Sequence, residues 1–132
     1  MIFVDTSFWV AIRNVRDDRH AAADVVLEAH ASDQLLTTDH VRGETWTFLR
    51  RKAGHVAAVD FLDSLEASAR VEVAVVPEED ELAAMAWLRR HDERSYSWVD
   101  ATSFATMRRH RVGEAMAFDG DFSAAGFVEL RG

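Results

Sequence analysis

The chain alternates short apolar runs with longer helical stretches, and this alternation limits its fold more than any other feature. Met1-Ile2-Phe3-Val4 is the first such run, and it stops at Asp5. Leu35-Leu36-Thr37-Thr38, the β-branched Val71 to Val76, Ala115 to Phe118 and Phe127 to Leu130 are the others. Runs this short, apolar on successive residues, read as strands buried on both faces, as in parallel sheets. Helical patterns fall between them. Thr6 and Ser7 offer N-caps for a helix through Arg13, and a second helix is expected from His20 to Ala31 with Ala23, Val26 and Leu27 inward. Asp39 is expected to cap a helix running to Lys52, and Gly54 to separate it from one carrying Val56, Val59, Phe61, Leu62 and Leu65. Pro77 and the acidic run Glu78 to Glu81 open a helix to Arg90, and another runs from Trp98 to His110. A turn carrying Gly120 and Gly126 joins the last two strands. The pattern predicts a single α/β domain over residues 1–132, a sandwich around a mostly parallel sheet. Ligands in such folds sit at the carboxyl ends of the strands.

Composition narrows the chemistry. Cysteine is absent, which removes disulfides, thiolate catalysis, zinc–sulfur sites and iron–sulfur clusters together. No apolar run approaches the ~20 residues of a membrane span, so a soluble, cytoplasmic protein is expected. Acids outnumber Lys plus Arg by 23 to 15, a formal charge of −8. That excludes non-specific nucleic-acid grip by a bulk basic surface. The acidic excess is open to three uses: solubility, a basic partner, or acids gathered around a metal.

The placement of the acids is the informative part. Asp5 ends the first strand and Asp119 follows Ala115 to Phe118, so parallel strands would project both from one sheet edge. Either acid alone also suits a helix cap. Glu44 lies three residues from Val41 and four from Phe48, on the face expected to point inward with Thr45 and Leu49. An unpaired carboxylate there would be costly to bury, so it needs an arginine partner, a rim position or a metal. Ser97-Trp98-Val99-Asp100 matches a capping box, and Asp121 sits in the polar turn Phe118-Asp119-Gly120-Asp121-Phe122. Carboxylates that converge without partners raise one another's pKa. A hard divalent cation such as Mg²⁺ or Mn²⁺ removes that conflict and can activate water against a phosphodiester. The six histidines show no convincing ligand spacing; His40 and Glu44, an i,i+4 pair, are better explained by a solvated helix start.

These residues resemble a PIN-domain ribonuclease, in particular the VapC toxins of bacterial toxin–antitoxin pairs. Phe3-Val4-Asp5-Thr6-Ser7 is similar to the family's first strand and first acid, and Arg42-Gly43-Glu44 followed by Phe48-Leu49 to the segment around the second. Ser97-Trp98-Val99-Asp100-Ala101 resembles the third motif and Phe118-Asp119-Gly120-Asp121-Phe122 the final acidic turn. The motifs follow the family's order over nearly the whole chain. The resemblance implies a three-layer α/β/α sandwich with a central parallel sheet and an endoribonuclease dependent on Mg²⁺ or Mn²⁺. It implies Asp5, Glu44, Asp100 and Asp119 as the catalytic acids, with Asp5, Asp100, Asp119 and Asp121 as metal ligands and Thr6 in support. It further implies an RNA substrate (a tRNA or rRNA), a VapB-type antitoxin and a homodimer. Trp98 and Phe104 are bulky where the family has smaller residues, a departure that bears on substrate selection.

An acidic protein that handles RNA needs local positive charge. Arg42, Arg50 and Arg108 are the candidate phosphate contacts, although arginines near a helix C-terminus also have a dipole explanation. The four tryptophans suit base stacking or packing, with packing the commoner use. An aspartyl-phosphate receiver domain is disfavoured, because the only lysine, Lys52, lies on a helix rather than at a strand end. The non-enzymatic alternative is a PIN-like module that binds RNA or protein without cutting.

Overall fold

A computed structural model describes residues 1–131. Five strands form one sheet in the order β3-β2-β1-β4-β5. They are β1 (Ile2–Val4), β2 (Leu35–Thr38), β3 (Val71–Ala74), β4 (Glu114–Met116) and β5 (Val128–Leu130), and every pairing is parallel. Between them lie α1 (Thr6–Arg13), α2 (His20–Ala29), α3 (Asp39–Lys52), α4 (His55–Ala67), α5 (Glu78–Arg90), α6 (Trp98–His110) and α7 (Asp121–Ala124). All residues of β1 and β2 are buried, as the apolar runs require of central parallel strands. The expected α/β sandwich with helices flanking a parallel sheet is therefore the fold.

Strand order explains where a site can form. The chain builds outward from β1 through β2 to β3, then returns to the other side of β1 to lay down β4 and β5. The order reverses between β1 and β4, which leaves a crevice at their carboxyl ends. Phe3 pairs with Ala115 and Val4 with Met116, so the residues that follow Val4 and Met116 enter this crevice together. The Asp5 amide donates to the Met116 carbonyl at 3.1 Å and closes the ladder.

Local chemistry accounts for most element boundaries. Thr38 Oγ1 accepts from the Val41 amide and caps α3. Asp39, expected in that role, is instead the first helical residue, and its Oδ1 accepts from the Val76 amide at 3.0 Å. Four acids occupy the first turn of α5 and Arg89 and Arg90 its last, the order that a helix dipole favours. Several strands or helices are shorter than the sequence runs imply: α2 stops at Ala29, β3 at Ala74 and β4 at Met116, and β5 begins only at Val128. The short α7 was not expected; Gly120, at φ 83°, makes the left-handed turn that starts it. Phe48 was expected inward but is 45% exposed.

The aromatic core holds the crevice in place. Phe122 on α7 is fully buried, its ring centroid 5.0 Å from Phe104 and 6.0 Å from Phe3. Phe118 stacks on Phe8 at 5.6 Å. The acidic turn between Phe118 and Phe122 is thus pinned on both sides by rings in the core. Phe122→Ala should cost about 3–5 kcal/mol, read as a lower midpoint in urea unfolding; a loss below about 1 kcal/mol would show that the turn is not anchored by this ring.

Candidate metal centre and active site

Asp5, Thr6, Glu44, Asp100, Asp119 and Asp121 line one cleft of about 520 Å³ at the β1–β4 crevice. Six positions spread over the sequence meet there because five elements deliver them: the end of β1, the start of α1, the second turn of α3, the first turn of α6, and the turn after β4. Asp100, Asp119 and Asp121 each place a carboxylate oxygen within 4.8 Å of the others'. Asp5 lies deeper, 3% exposed. Glu44 is half-buried on the α3 wall, with exposed Phe48 one turn further along the same wall. The face shared by Glu44 and Phe48 therefore borders the cleft rather than the core.

Two of the acids serve as helix caps as well. Asp5 is the N-cap of α1: its Oδ2 accepts from the Ser7 amide at 3.2 Å and from Ser7 Oγ at 2.7 Å. Thr6 and Ser7, expected to cap, are the first helical residues. Ser7 Oγ in turn accepts from the Phe118 amide at 3.1 Å, which ties the end of β1 to the turn after β4. The capping box of α6 is complete: Asp100 Oδ2 accepts from the Ser97 amide at 3.0 Å and Ser97 Oγ from the Asp100 amide at 2.9 Å. In both cases capping uses Oδ2 and leaves Oδ1 outside the cap. The turn itself is held by Asp119 Oδ1, which accepts from the Asp121 amide at 3.1 Å.

Arg94 was missed by sequence reasoning. It lies on the loop before α6, its Nε donating to Asp121 Oδ1 at 2.9 Å and its Nη2 to the Asp119 carbonyl at 3.2 Å. Arg19 was missed too; it lines the cleft with its guanidinium 5.2 Å from the Phe118 ring centroid. Arg131 Nη2 donates to the Phe118 carbonyl at 2.8 Å. Only tertiary approach brings these three to the turn, so no local sequence signal marks them. The arginines singled out earlier lie elsewhere: Arg42 lines a separate cavity with Leu62, Glu66 and Val73, Arg108 lines a third, and Arg50 is exposed on the last turn of α3. His40 does not pair with Glu44; its Nδ1 is 3.2 Å from Thr102 Oγ1 and its Nε2 3.5 Å from Glu81 Oε1.

The acids repel one another in a desolvated place. Burial pushes the Asp5 carboxyl up to about 8, assisted by the charge of Asp119 and, more weakly, of Asp100, against the opposing bonds from Ser7. Burial likewise lifts Asp100 to about 7, with Asp119 and Asp121 adding to it. Asp119 is raised by burial first, then by Asp121 and Glu129. Thr6 Oγ1 is buried beside them without a hydrogen-bond partner. Oxygen donors, mutual repulsion and an unpartnered hydroxyl form a set that fits a hard divalent cation.

Comparison with known proteins settles the family. The PIN domain profile matches residues 2–128. The chain belongs to the PIN-domain family. Within it, the chain is 54% identical over 131 residues to the 23S rRNA-specific endonuclease VapC20 of Mycobacterium tuberculosis strain H37Rv, a match covering 99% of this chain and 98% of that protein. The same protein from strain CDC 1551 matches equally. The crystal structure of Mycobacterium tuberculosis VapC20, described as a sarcin-ricin loop cleaving toxin, superimposes with a TM-score of 0.93 at 52% identity and full coverage of both chains. The resemblance carried by the four acidic motifs is therefore correct at the level of family and fold.

The raised acids of this PIN domain make a stability prediction. A carboxyl whose folded pKa exceeds its unfolded value of 3.8 favours folding below that value and loses the benefit as pH rises through about 8. Asp5→Asn keeps an oxygen for the Ser7 cap and removes the charge. Without metal, this variant should melt roughly 5 °C or more above the parent at pH 8. The gap should close toward pH 4. An Asp5→Asn variant no more stable than the parent at pH 8 would contradict the burial of a strained charge.

Proposed function

We propose that the chain is an endoribonuclease toxin of the VapC type that hydrolyses a phosphodiester bond of RNA with Mg²⁺ or Mn²⁺ at the acid cleft. The observation that carries this most is the clustering of Asp100, Asp119 and Asp121 beside buried Asp5 at the β1–β4 switch point. Asp100, Asp119 and Asp121 would hold the cation, with Asp5 the fourth acid in reach of it and Asp119. A bound cation of this kind lowers the pKa of water and neutralises charge developing on a phosphoryl oxygen.

The chain's own residues have distinct parts. Ser7 fixes the Asp5 carboxylate through two bonds to one oxygen, and the α6 capping box fixes that of Asp100 through one bond from the Ser97 amide. Both acids are orientated before any ligand arrives, which limits the reorganisation that the reaction requires. Glu44, half-buried on the α3 wall of the cleft, would accept a proton from attacking water or orient it. Arg94 clamps the Asp119–Asp121 turn and, at the rim, supplies positive charge toward which a phosphate is drawn. Thr6 offers its hydroxyl to Asp5 or to a water in the cleft.

VapC20 is named for its action on 23S rRNA and on the sarcin-ricin loop, and the same loop is the substrate proposed for this chain. That choice replaces the broader pair of tRNA or rRNA. A VapB-type antitoxin is the proposed inhibitor, a homodimer the proposed assembly, and the cytoplasm the proposed compartment. No helix among the described residues is long and apolar enough to cross a membrane.

Two measurements test the proposal. Purified protein should cut a sarcin-ricin stem-loop RNA with Mg²⁺ or Mn²⁺ and stop in EDTA, while Asp100→Asn and Asp5→Asn should lose at least about 10²-fold in kcat with the fold intact. Cleavage unchanged in both variants would refute the catalytic assignment. Calorimetry of Mn²⁺ binding should show protons released near pH 7 and affinity rising with pH, because the raised carboxyls must ionise to ligate. Binding independent of pH between 6 and 9 would remove those acids from the ligand set.

A further inference from the structure

The third cavity, of about 410 Å³, lies between α5 and α6, away from the acids. Trp87, Arg90, His91 and Arg108 line it over a floor of three alanines, and no carboxylate takes part. This is unusual ground in a chain with 23 acids and a net charge of −8.

The two arginines are uncompensated. Among the described residues, Arg94, Arg109 and Arg131 form ion pairs with carboxylates, whereas Arg90 and Arg108, like most of the other arginines, form none. Arg108 is exposed, with its guanidinium 5.2 Å from the Phe127 ring centroid and 5.9 Å from that of Trp87. Partial desolvation against these rings and the like charge of Arg90 both work against its protonated form. The helix dipole accounts for cations at the ends of α5 and α6. It does not account for two that share one cavity with no acid between them. His91 stacks on Trp87 at 4.1 Å and stiffens the wall.

The position of the cavity relates it to the cleft. Asp100 stands in the first turn of α6 and Arg108 in its last. At the α-helical rise, the two are about 12 Å apart along one rigid axis. Arg94, on the loop joining α5 to α6, lies over the acidic turn at the cleft end of that same path.

We propose that the α5–α6 cavity binds backbone phosphates of the RNA stem flanking the cleavage point, with Arg90 and Arg108 as the phosphate ligands. The inference rests on the ribonuclease activity proposed above. A polyanion that spans from the cleft to the cavity at the far end of α6, without lying on the buried helix itself, would relieve the Arg90–Arg108 repulsion, and the apolar floor would strengthen each contact. The loop placed at the acids would then be cut while its stem is gripped elsewhere, which gives an acidic protein a local basic track.

The test uses two RNAs, a stem-loop and a short single-stranded loop sequence lacking the stem, with binding measured on the Asp5→Asn background and cleavage on the parent background. Arg90→Gln with Arg108→Gln should weaken stem-loop binding about tenfold at moderate salt and reduce the slope of log affinity against log salt by about two. Binding and kcat on the short RNA should not change. Arg90→Gln alone, at an exposed site that does not threaten folding, should remove about one unit of slope. Arg108→Lys should keep the slope. Unchanged stem-loop affinity and slope in the double variant would overturn the proposal. So would unchanged RNA binding accompanied by loss of salt-sensitive self-association, which would make the cavity an interface between copies. If the parent cuts neither RNA, the ribonuclease proposal fails; if it cuts both and the variants bind as the parent does, only the cavity assignment fails.

Discussion

The convergence of buried Asp5 and Asp100 with the more exposed Asp119 and Asp121 at the β1–β4 switch point is the constraint on which the rest of the structure turns. Asp5 is almost fully buried, and both Asp119 and Asp100 press on it electrostatically. A fold selected for stability alone would not place unpaired acids there, because their desolvation opposes folding at neutral pH. The geometry makes sense for a protein whose working form contains a cation. Metal-free, it holds protons on carboxyls that ordinarily ionise well below neutrality, and a divalent ion would take their place.

The surrounding structure is arranged to bear that strain. Phe118 and Phe122 anchor the acidic turn in the aromatic core, and Ser7 links it to the end of β1. Arg94 adds a partial counter-charge from the loop before α6. Asp5 and Asp100 show that capping and site chemistry are not competing explanations for one residue. Each carboxylate uses Oδ2 for its helix, and the helix in return fixes where the other oxygen sits. Precision comes from secondary structure, which is more rigid than a loop.

Much of this was legible in the residues. Apolar runs stopping at Asp5 and just before Asp119 announced buried parallel strands with acids at their ends, and Ser97 to Asp100 announced its capping box. What was not legible depends on tertiary approach. Arg94 and Arg19 reach the turn from distant segments, and nothing near either in sequence marks the destination. The face of α3 carrying Glu44 and Phe48 has the spacing of a core stripe. Periodicity says which residues share a face but not whether that face meets the core or a cleft. The α7 turn was hidden for another reason: four residues are too few for a periodic signal. The charge of −8 excluded grip by overall charge and stayed silent about local arginines such as Arg90 and Arg108.

The central claim is that these acids converge in order to hold a divalent cation. Crystals soaked in Mn²⁺ test it most directly, through an anomalous-difference map. The account predicts a strong peak among the carboxylates of Asp100, Asp119 and Asp121, lost in crystals of Asp100→Asn. A map with no peak in this cleft at saturating Mn²⁺, or a peak that persists unchanged in that variant, would contradict it.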